Sequence, residues 1–171
     1  MIRTRAVAAA AVLAFALLST VPSHADPVKV RLPNGLTVLV NENRAAPLVA
    51  ASLFVRVGTR WESEETAGIT SLLQHVLLKG TTSRSALDIT LAAEDIGGSI
   101  GASSDTDFAE IRGAALARHW RALLELIADV TLRPALPPDE IDGERRVLLR
   151  SIRNRRSMRD AFPTRVPATA K

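Results

Sequence analysis

The chain of 171 residues contains no cysteine. Disulfide bonds and thiolate metal sites are therefore excluded, and the fold must be held together by its apolar core. Since 47% of the residues are hydrophobic, the chain has ample material for such a core. The absence of cysteine is also compatible with an oxidising compartment such as a periplasm.

The chain also lacks a strong excess of charge of one sign. It carries 22 lysines and arginines against 18 aspartates and glutamates. Proteins that bind nucleic acid usually show a clear basic excess on one face. This balance gives no support to a nucleic acid as a partner.

The N-terminal apolar run, Ala6 to Leu18, is shorter than the roughly 20 residues that span a bilayer. Arg3 and Arg5 precede it, and Ser23-His24-Ala25 places small residues where a signal peptidase cleaves. We therefore predict a signal peptide over residues 1–25 and an exported chain, either periplasmic or secreted; a membrane anchor is the less favoured alternative. Removal of two arginines leaves 20 basic and 18 acidic residues, and we expect no membrane partner for the mature chain.

Internal repeats and low-complexity linkers are absent too, which favours a single domain over residues 26–156. From Arg153 onward the apolar helical period is lost, and the residues after Asn154 include five basic residues, one acidic residue and two prolines. We interpret residues 157–171 as a basic, disordered tail. A tail that binds nucleic acid or lipid is the alternative interpretation.

Apolar periodicity and turn residues predict both strands and helices. Strands are expected in a hairpin over residues 28–40, in a central strand over residues 48–58, and in a second hairpin over residues 99–115. Helices are expected over residues 67–79, 85–95, 119–132 and 140–156. Two sets of strands with helices packed on one face give an α+β fold, with an antiparallel or mixed sheet.

The helix over residues 67–79 is the most informative element, because its two sides differ. Thr66 is expected to cap its start and Gly80 to end it. Its apolar residues recur at helical spacing and predict a buried stripe. They are Ile69, Leu72, Leu73, Val76 and Leu77. Ser71, Gln74 and His75 cluster on the opposite side and point the same way.

This polar side has the spacing of a zinc site. In the inverted zinc motif H-x-x-E-H, the two histidines bind the ion and the glutamate activates water. Residues 71–75 read S-x-x-Q-H in the same register, so only His75 is retained. A serine hydroxyl is a poor zinc ligand, and the amide of Gln74 cannot accept a proton from zinc-bound water.

The order of these segments resembles the N-terminal domain of the pitrilysin and insulinase type of zinc metallopeptidases, a group that includes the mitochondrial processing peptidase. The resemblance covers residues 28 to about 156, in family order and with family-like spacing. It is carried by LPNGLTVLV (32–40), GTRWESEETAGITSLLQHVLLKGTT (58–82), IGGSIGASSDTDF (96–108) and LRPALPPDEIDGERRVLL (132–149).

The resemblance implies a role for each matching position. The family's two histidine ligands fall on Ser71 and His75, and its glutamate base falls on Gln74. Its third ligand falls on Ser151, and a supporting acid seven residues earlier falls on Glu144. Three of the four metal or base positions are therefore changed. We expect no zinc and no other cofactor, although the active family uses zinc, because one imidazole binds the ion weakly.

The resemblance also concerns partners. It implies that the edge strand at Ser99, Ile100, Gly101 and Ala102 could take up an extended peptide through backbone hydrogen bonds, which survive loss of the metal. Working enzymes of the family continue past the final helix and pair this domain with a similar second one. The main hypothesis is therefore an exported, non-catalytic homologue that acts as a partner of an active peptidase subunit or binds peptide. The alternatives are an active zinc metalloendopeptidase with unusual ligands and a truncated remnant without function.

Overall fold

The computed structural model describes residues 27–161, and the chain divides into two compact units between Ala46 and Pro47. In the first unit, strands β1 (Val28–Arg31) and β2 (Thr37–Val40) form an antiparallel hairpin. The side chain of Asn34 accepts the N–H of Leu36 at 3.1 Å, and Gly35 has φ 88°. The predicted turn is confirmed, because asparagine and glycine supply the local hydrogen bond and the left-handed backbone that it needs.

The second unit contains an antiparallel sheet of three strands in the order β3-β5-β4. These strands are β3 (Leu48–Val55), β4 (Ser99–Ser104) and β5 (Ala109–Leu116). The predicted second hairpin is confirmed as β4 and β5, which pair from Ser99 opposite Ala114 to Ser104 opposite Ala109.

Within the sheet formed by residues 47–161, the prediction that residues 48–58 form a central strand is wrong, because β3 lies at an edge and β5 lies in the middle. The near-continuous apolar sequence of β3 suggested a strand covered on at least one face, and one face is covered. Only Val49, Ala51 and Leu53 pack against the core, while Leu48 and Phe54 on the other face are more than half exposed. The apolar sequence of β3 therefore did not indicate how many strands flank it in the sheet.

Four α-helices accompany the sheet in the described residues: α1 (Ile69–Val76), α2 (Ala86–Asp95), α3 (Trp120–Leu132) and α4 (Pro138–Ala161). Short 3₁₀ turns cover Thr59–Trp61, Leu77–Lys79 and Ala117–His119. Ser85 caps α2 through a reciprocal pair of hydrogen bonds with Asp88. No helix among the described residues is both long and apolar enough to cross a membrane.

The final helix differs from its expected limits. It begins at Pro138, where the missing N–H of proline costs no hydrogen bond, and it continues to Ala161 instead of ending near residue 156. The first residues of the predicted tail over 157–171 are therefore helical. Residues 162–171, like the predicted signal peptide, lie outside the described part of the chain.

The core lies between the helices and one face of the sheet. In the middle strand β5 that face presents Ala109, Ile111 and Ala115, and Leu123 of α3 is buried in the same core with no exposed surface. Gly113 lets α3 approach closely, because a Cβ there would lie 2.6 Å from the Cδ1 of Leu123. The expected α+β fold, with helices packed on an antiparallel sheet, is thus confirmed.

A buried carboxylate joins the connector after α1 to α3. Asp129 has no exposed surface, and its Oδ1 accepts a hydrogen bond from Arg133 Nε at 2.8 Å. Its Oδ2 accepts hydrogen bonds from Thr81 Oγ1 at 3.0 Å, from Ser83 and from Arg84. Burial acts to raise the pKa of Asp129, but the hydrogen bonds from Arg133, Thr81 and Arg84 outweigh it and hold the pKa below its ordinary value.

We expect Asp129→Ala to lower the free energy of unfolding by about 3 kcal/mol, because two arginines and two hydroxyls lose their common acceptor. Chemical denaturation at pH 7 measures the change. Asp95→Ala, at an exposed position at the end of α2, is the matched control. If the two variants differ by less than about 0.5 kcal/mol, the carboxylate does not have this structural role.

Candidate functional site

Helix α1 is positioned by a carboxylate that precedes it by one loop. Glu62 accepts the N–H of Gly68 at 2.7 Å and the N–H of Thr70 at 2.9 Å, so it satisfies donors that the first turn of a helix leaves free. The bond from Gly68, followed by those from Thr70, holds the pKa of Glu62 below its ordinary value. The predicted cap at Thr66 is wrong, because its hydroxyl accepts the N–H of Ser63 instead.

The helix over residues 67–79 is shorter than predicted, because α1 ends at Val76 and a 3₁₀ turn follows it. Gly80 then ends the helical segment with φ 148°, as expected. This 3₁₀ turn carries Lys79, whose side chain belongs to the candidate site.

The buried side of α1 differs from the predicted stripe. Val76 and Leu77 are buried as expected, but Ile69 is 57% exposed and Leu73 is 39% exposed. Gln74, which was expected on the polar side with Ser71 and His75, is only 5% exposed. Its Oε1 atom is buried and has no hydrogen-bond partner among the described residues.

The burial of Gln74 matters for the chemistry of this position. A carboxylate placed there would lose its hydration, which costs much more free energy than burying a neutral amide. The neutral side chain is therefore compatible with its surroundings even though one oxygen is unpaired. The amide accepts no proton at neutral pH, so it supplies no general base.

His75 lies beside helix α4. Its side chain is half exposed, and its Nδ1 lies 3.5 Å from Oε2 of Glu144. Oε1 of Glu144 lies 2.8 Å from Nζ of Lys79, and Oε2 of Glu140 lies 3.7 Å from the same ammonium group. We call these four residues, His75, Lys79, Glu140 and Glu144, the Lys79 cluster.

The Lys79 cluster stabilises the charged forms of Lys79 and Glu144. The hydrogen bond from Lys79, opposed by burial and supported by the charges of Lys79 and His75, holds the pKa of Glu144 below its ordinary value. The same hydrogen bond raises the pKa of Lys79. Glu144, which the resemblance identified only as a supporting acid for a metal site, thus links α1 and its following turn to α4.

Ser151 lies two turns after Glu144 on α4, and a spacing of seven residues places both on one face of the helix. Its hydroxyl donates to the backbone carbonyl of Leu148 at 2.8 Å. The side chain is thus bonded within its own helix. The structure brings His75 and Glu144 together, and it shows Ser151 as a short, neutral side chain on the face that carries Glu144.

These residues do not fit a zinc ion. Within residues 27–161, no group of three or more histidine, cysteine, aspartate or glutamate side chains is placed to hold a metal. Glu144 is already bound by the ammonium group of Lys79, and this positive charge opposes a second cation at the same carboxylate. A protein zinc site needs at least three ligands, and the neutral side chains of Ser71, Gln74 and Ser151 do not supply them.

The predicted peptide-binding strand is the second part of the candidate site. Ser99 to Ala102 belong to β4, whose only strand neighbour in the described sheet is β5. Ile100 and Ala102 pack against the core, and α1 lies against this strand. Peptide binding at this edge stays a prediction.

Comparison with known proteins identifies relatives of the chain. The family model described as Insulinase (Peptidase family M16) matches residues 37–171. A protein of Rickettsia felis named as an uncharacterized zinc protease is 33% identical over 122 residues, which are 71% of this chain and 30% of that protein. A probable mitochondrial-processing peptidase subunit beta of Arabidopsis thaliana is 31% identical over 121 residues, which are 71% of this chain and 23% of that protein.

Two solved structures are similar in fold. A protease from Helicobacter pylori has a TM-score of 0.68 and 25% identity, over 75% of this chain and 31% of that chain. An inactive domain of a peptidase M16 from Pseudomonas fluorescens has a TM-score of 0.63 and 22% identity, over 67% of this chain and 28% of that chain. The chain therefore spans less than a third of the length of each of these four relatives.

We expect Glu144→Gln to lower the free energy of unfolding by about 1 kcal/mol at pH 7, because Lys79 loses its closest charged partner. The folded-state pKa of Glu144 is below its unfolded value, so its ionised form stabilises the fold above the unfolded value. This contribution is lost as the pH falls through the folded-state pKa. The difference between variant and parent should therefore shrink between pH 7 and about pH 3.

Urea denaturation across this pH range measures the difference, and Glu125→Gln at an exposed position of α3 is the control. A difference that is independent of pH would show that the charge of Glu144 does not stabilise the fold.

Proposed function

The chain belongs to the insulinase family of peptidases, peptidase family M16, and from this premise we propose that it is a non-catalytic homologue that acts as a partner subunit or binds peptide. The single observation that carries the proposal is the state of the candidate site. Gln74 is buried and neutral, while Glu144 is bound by Lys79. The site therefore has no base for water and no vacant set of metal ligands.

The site residues support a structural role in place of hydrolysis. His75 and Lys79 lie against Glu144 of α4, so the cluster stabilises the packing of α1 on that helix without a metal. Ser151 is satisfied by a backbone carbonyl and does not require a ligand. A domain of this kind would keep the fold of a peptidase domain without the metal ligands and the base that hydrolysis requires.

The proposal of a partner or a peptide rests on the surface next to α1. Strand β4 has a second edge that no strand of the described sheet occupies, and an extended peptide can add to such an edge through its backbone. One relative is named a peptidase subunit, which fits a role inside an assembly. We further propose that residues 1–25 direct export, so that this role is performed outside the cytoplasm.

Zinc content tests the proposal directly. We expect the purified chain to contain far less than one zinc per molecule after dialysis against trace zinc. The triple variant Ser71→His, Ser151→Glu and Gln74→Glu should bind about one zinc per chain, because it supplies three ligands and a base on α1 and α4. Elemental analysis and sensitivity to a chelator measure both results.

Two further variants serve as matched controls. The double variant Ser71→His and Ser151→Glu, which keeps Gln74, should bind zinc without hydrolysing a peptide substrate. His75→Ala in the triple variant should abolish zinc binding. A stoichiometric, chelator-sensitive zinc in the parent chain, together with peptide hydrolysis, would contradict the proposal and favour an active peptidase with unusual ligands.

A further inference from the structure

Gln74 differs from the other buried polar side chains that the structure describes, because its oxygen has no hydrogen-bond partner. Asp129 and Thr81 are buried to a similar degree, and they bond to each other. An unpaired buried acceptor costs free energy, because it has lost its bonds to water and has gained none in the fold. The chain therefore keeps this oxygen at a cost to its stability.

Packing alone does not explain a polar side chain at this position. Methionine has the same length as glutamine and a flexible side chain, so it would fill the space without an unpaired oxygen. Proteins keep groups that destabilise the fold where those groups serve a function. The polarity of Gln74 therefore points to a ligand that supplies the missing donor.

The contacts of α1 locate the carboxamide of Gln74. Helix α1 packs against strand β4 and against helix α4. His75 follows Gln74 at about 100° round the helix, and its Nδ1 faces Glu144 of α4. Leu77, about 60° to the other side of Gln74, belongs to the core. The carboxamide therefore lies between α4 and the core, beside the strand that the proposed peptide would join.

We infer that the carboxamide oxygen of Gln74 accepts a hydrogen bond from a backbone N–H of an extended peptide held beside α1 and β4. The inference rests on the proposed function and deepens it, because it makes Gln74 a binding residue for the main chain of the peptide. A strand added to β4 pairs with it through only every second residue. The added strand therefore keeps N–H groups that β4 does not use.

The position of the amide suits such a contact. No hydrogen bond holds Oε1 in its present place, so a rotation about the side-chain torsions of Gln74 breaks none at that atom. The peptide N–H then adds a bond that the oxygen lacked, and no bond lost by the oxygen offsets the gain. We expect this bond to contribute about fivefold to the affinity for a peptide.

A cation is a less suitable ligand for this oxygen than an amide. Within residues 27–161, no three histidine or carboxylate side chains are placed to hold a metal. The ammonium group of Lys79, which lies 2.8 Å from Glu144, opposes a second positive charge beside α1. A backbone N–H carries no net charge, and every residue of a peptide except proline supplies one.

Stability without a ligand tests the first step. We expect Gln74→Met to raise the urea midpoint of unfolding by roughly 0.5 M, because the unpaired oxygen is removed at nearly constant volume. Leu73→Met, at the neighbouring position of α1, is the matched control and should not raise the midpoint. A lower midpoint in Gln74→Met would show that the fold itself uses the amide, and it would overturn the inference.

Peptide binding tests the second step. The probe is a short labelled peptide selected on the parent chain from a phage-displayed library, and fluorescence anisotropy measures its affinity. A series of this peptide, N-methylated at one residue at a time, removes single N–H groups. We expect one position at which N-methylation weakens binding to the parent about fivefold but leaves binding to Gln74→Met unchanged.

Two further variants sharpen this comparison. Gln74→Glu keeps an acceptor, so it should keep the loss at the same peptide position, and Leu73→Met should behave like the parent. Circular dichroism checks that each variant is folded.

The outcomes separate this inference from the proposed function. Losses that are equal in the parent and in Gln74→Met at every peptide position would overturn the role of Gln74 and leave the proposed binding of peptide intact. If the library yields no binding peptide, both are overturned. Zinc content and hydrolysis decide the catalytic status of the chain independently of these results.

Discussion

The buried carboxylate of Asp129 is the interaction on which the arrangement around the candidate site depends. It lies near the end of α3, and it binds residues of the connector that joins α1 to α2. The same connector pairs Gly80 with Ser85, and Thr81 with Pro134 beyond α3. The end of α1 is thereby fixed to the core helix. Because Lys79 directly precedes this anchored segment, its ammonium group is held within reach of Glu144.

The sequence predicted correctly those turns and helix ends that depend on residues adjacent in the chain. Asn34 and Gly35 form the first turn, and Gly80 ends the helical segment, because each requirement is met within a few residues. The cap by Glu62 could not be predicted in this way, because the loop must first fold back over six residues. The contact between Thr81 and Asp129 spans 48 residues and leaves no periodic signal.

The errors on burial have a related cause. The spacing of Ile69, Leu73 and Val76 shows that α1 is amphipathic, but it does not show which neighbours cover each part of the helix. The structure covers Gln74, whereas Ile69 is more than half exposed and Leu73 is 39% exposed. Likewise, the composition of β3 indicated a strand but not its place at the edge of the sheet. The alignment of His75 and Glu144 across α1 and α4 followed from the family resemblance, since the two residues are far apart in the sequence.

The two edges of the sheet have different surroundings, and this separation bears on function. Strand β4 lies against α1, next to the candidate site, whereas β3 lies on the far side of β5. The proposed addition of a peptide to β4 would use backbone groups beside α1, so it does not depend on a metal. The neutral side chain of Gln74 and the bond between Lys79 and Glu144 involve α1, the turn after it and α4, but not the backbone groups at the edge of the sheet. The proposed binding of a peptide at β4 therefore rests on the sheet and not on the residues at the metal-ligand positions of the zinc motif.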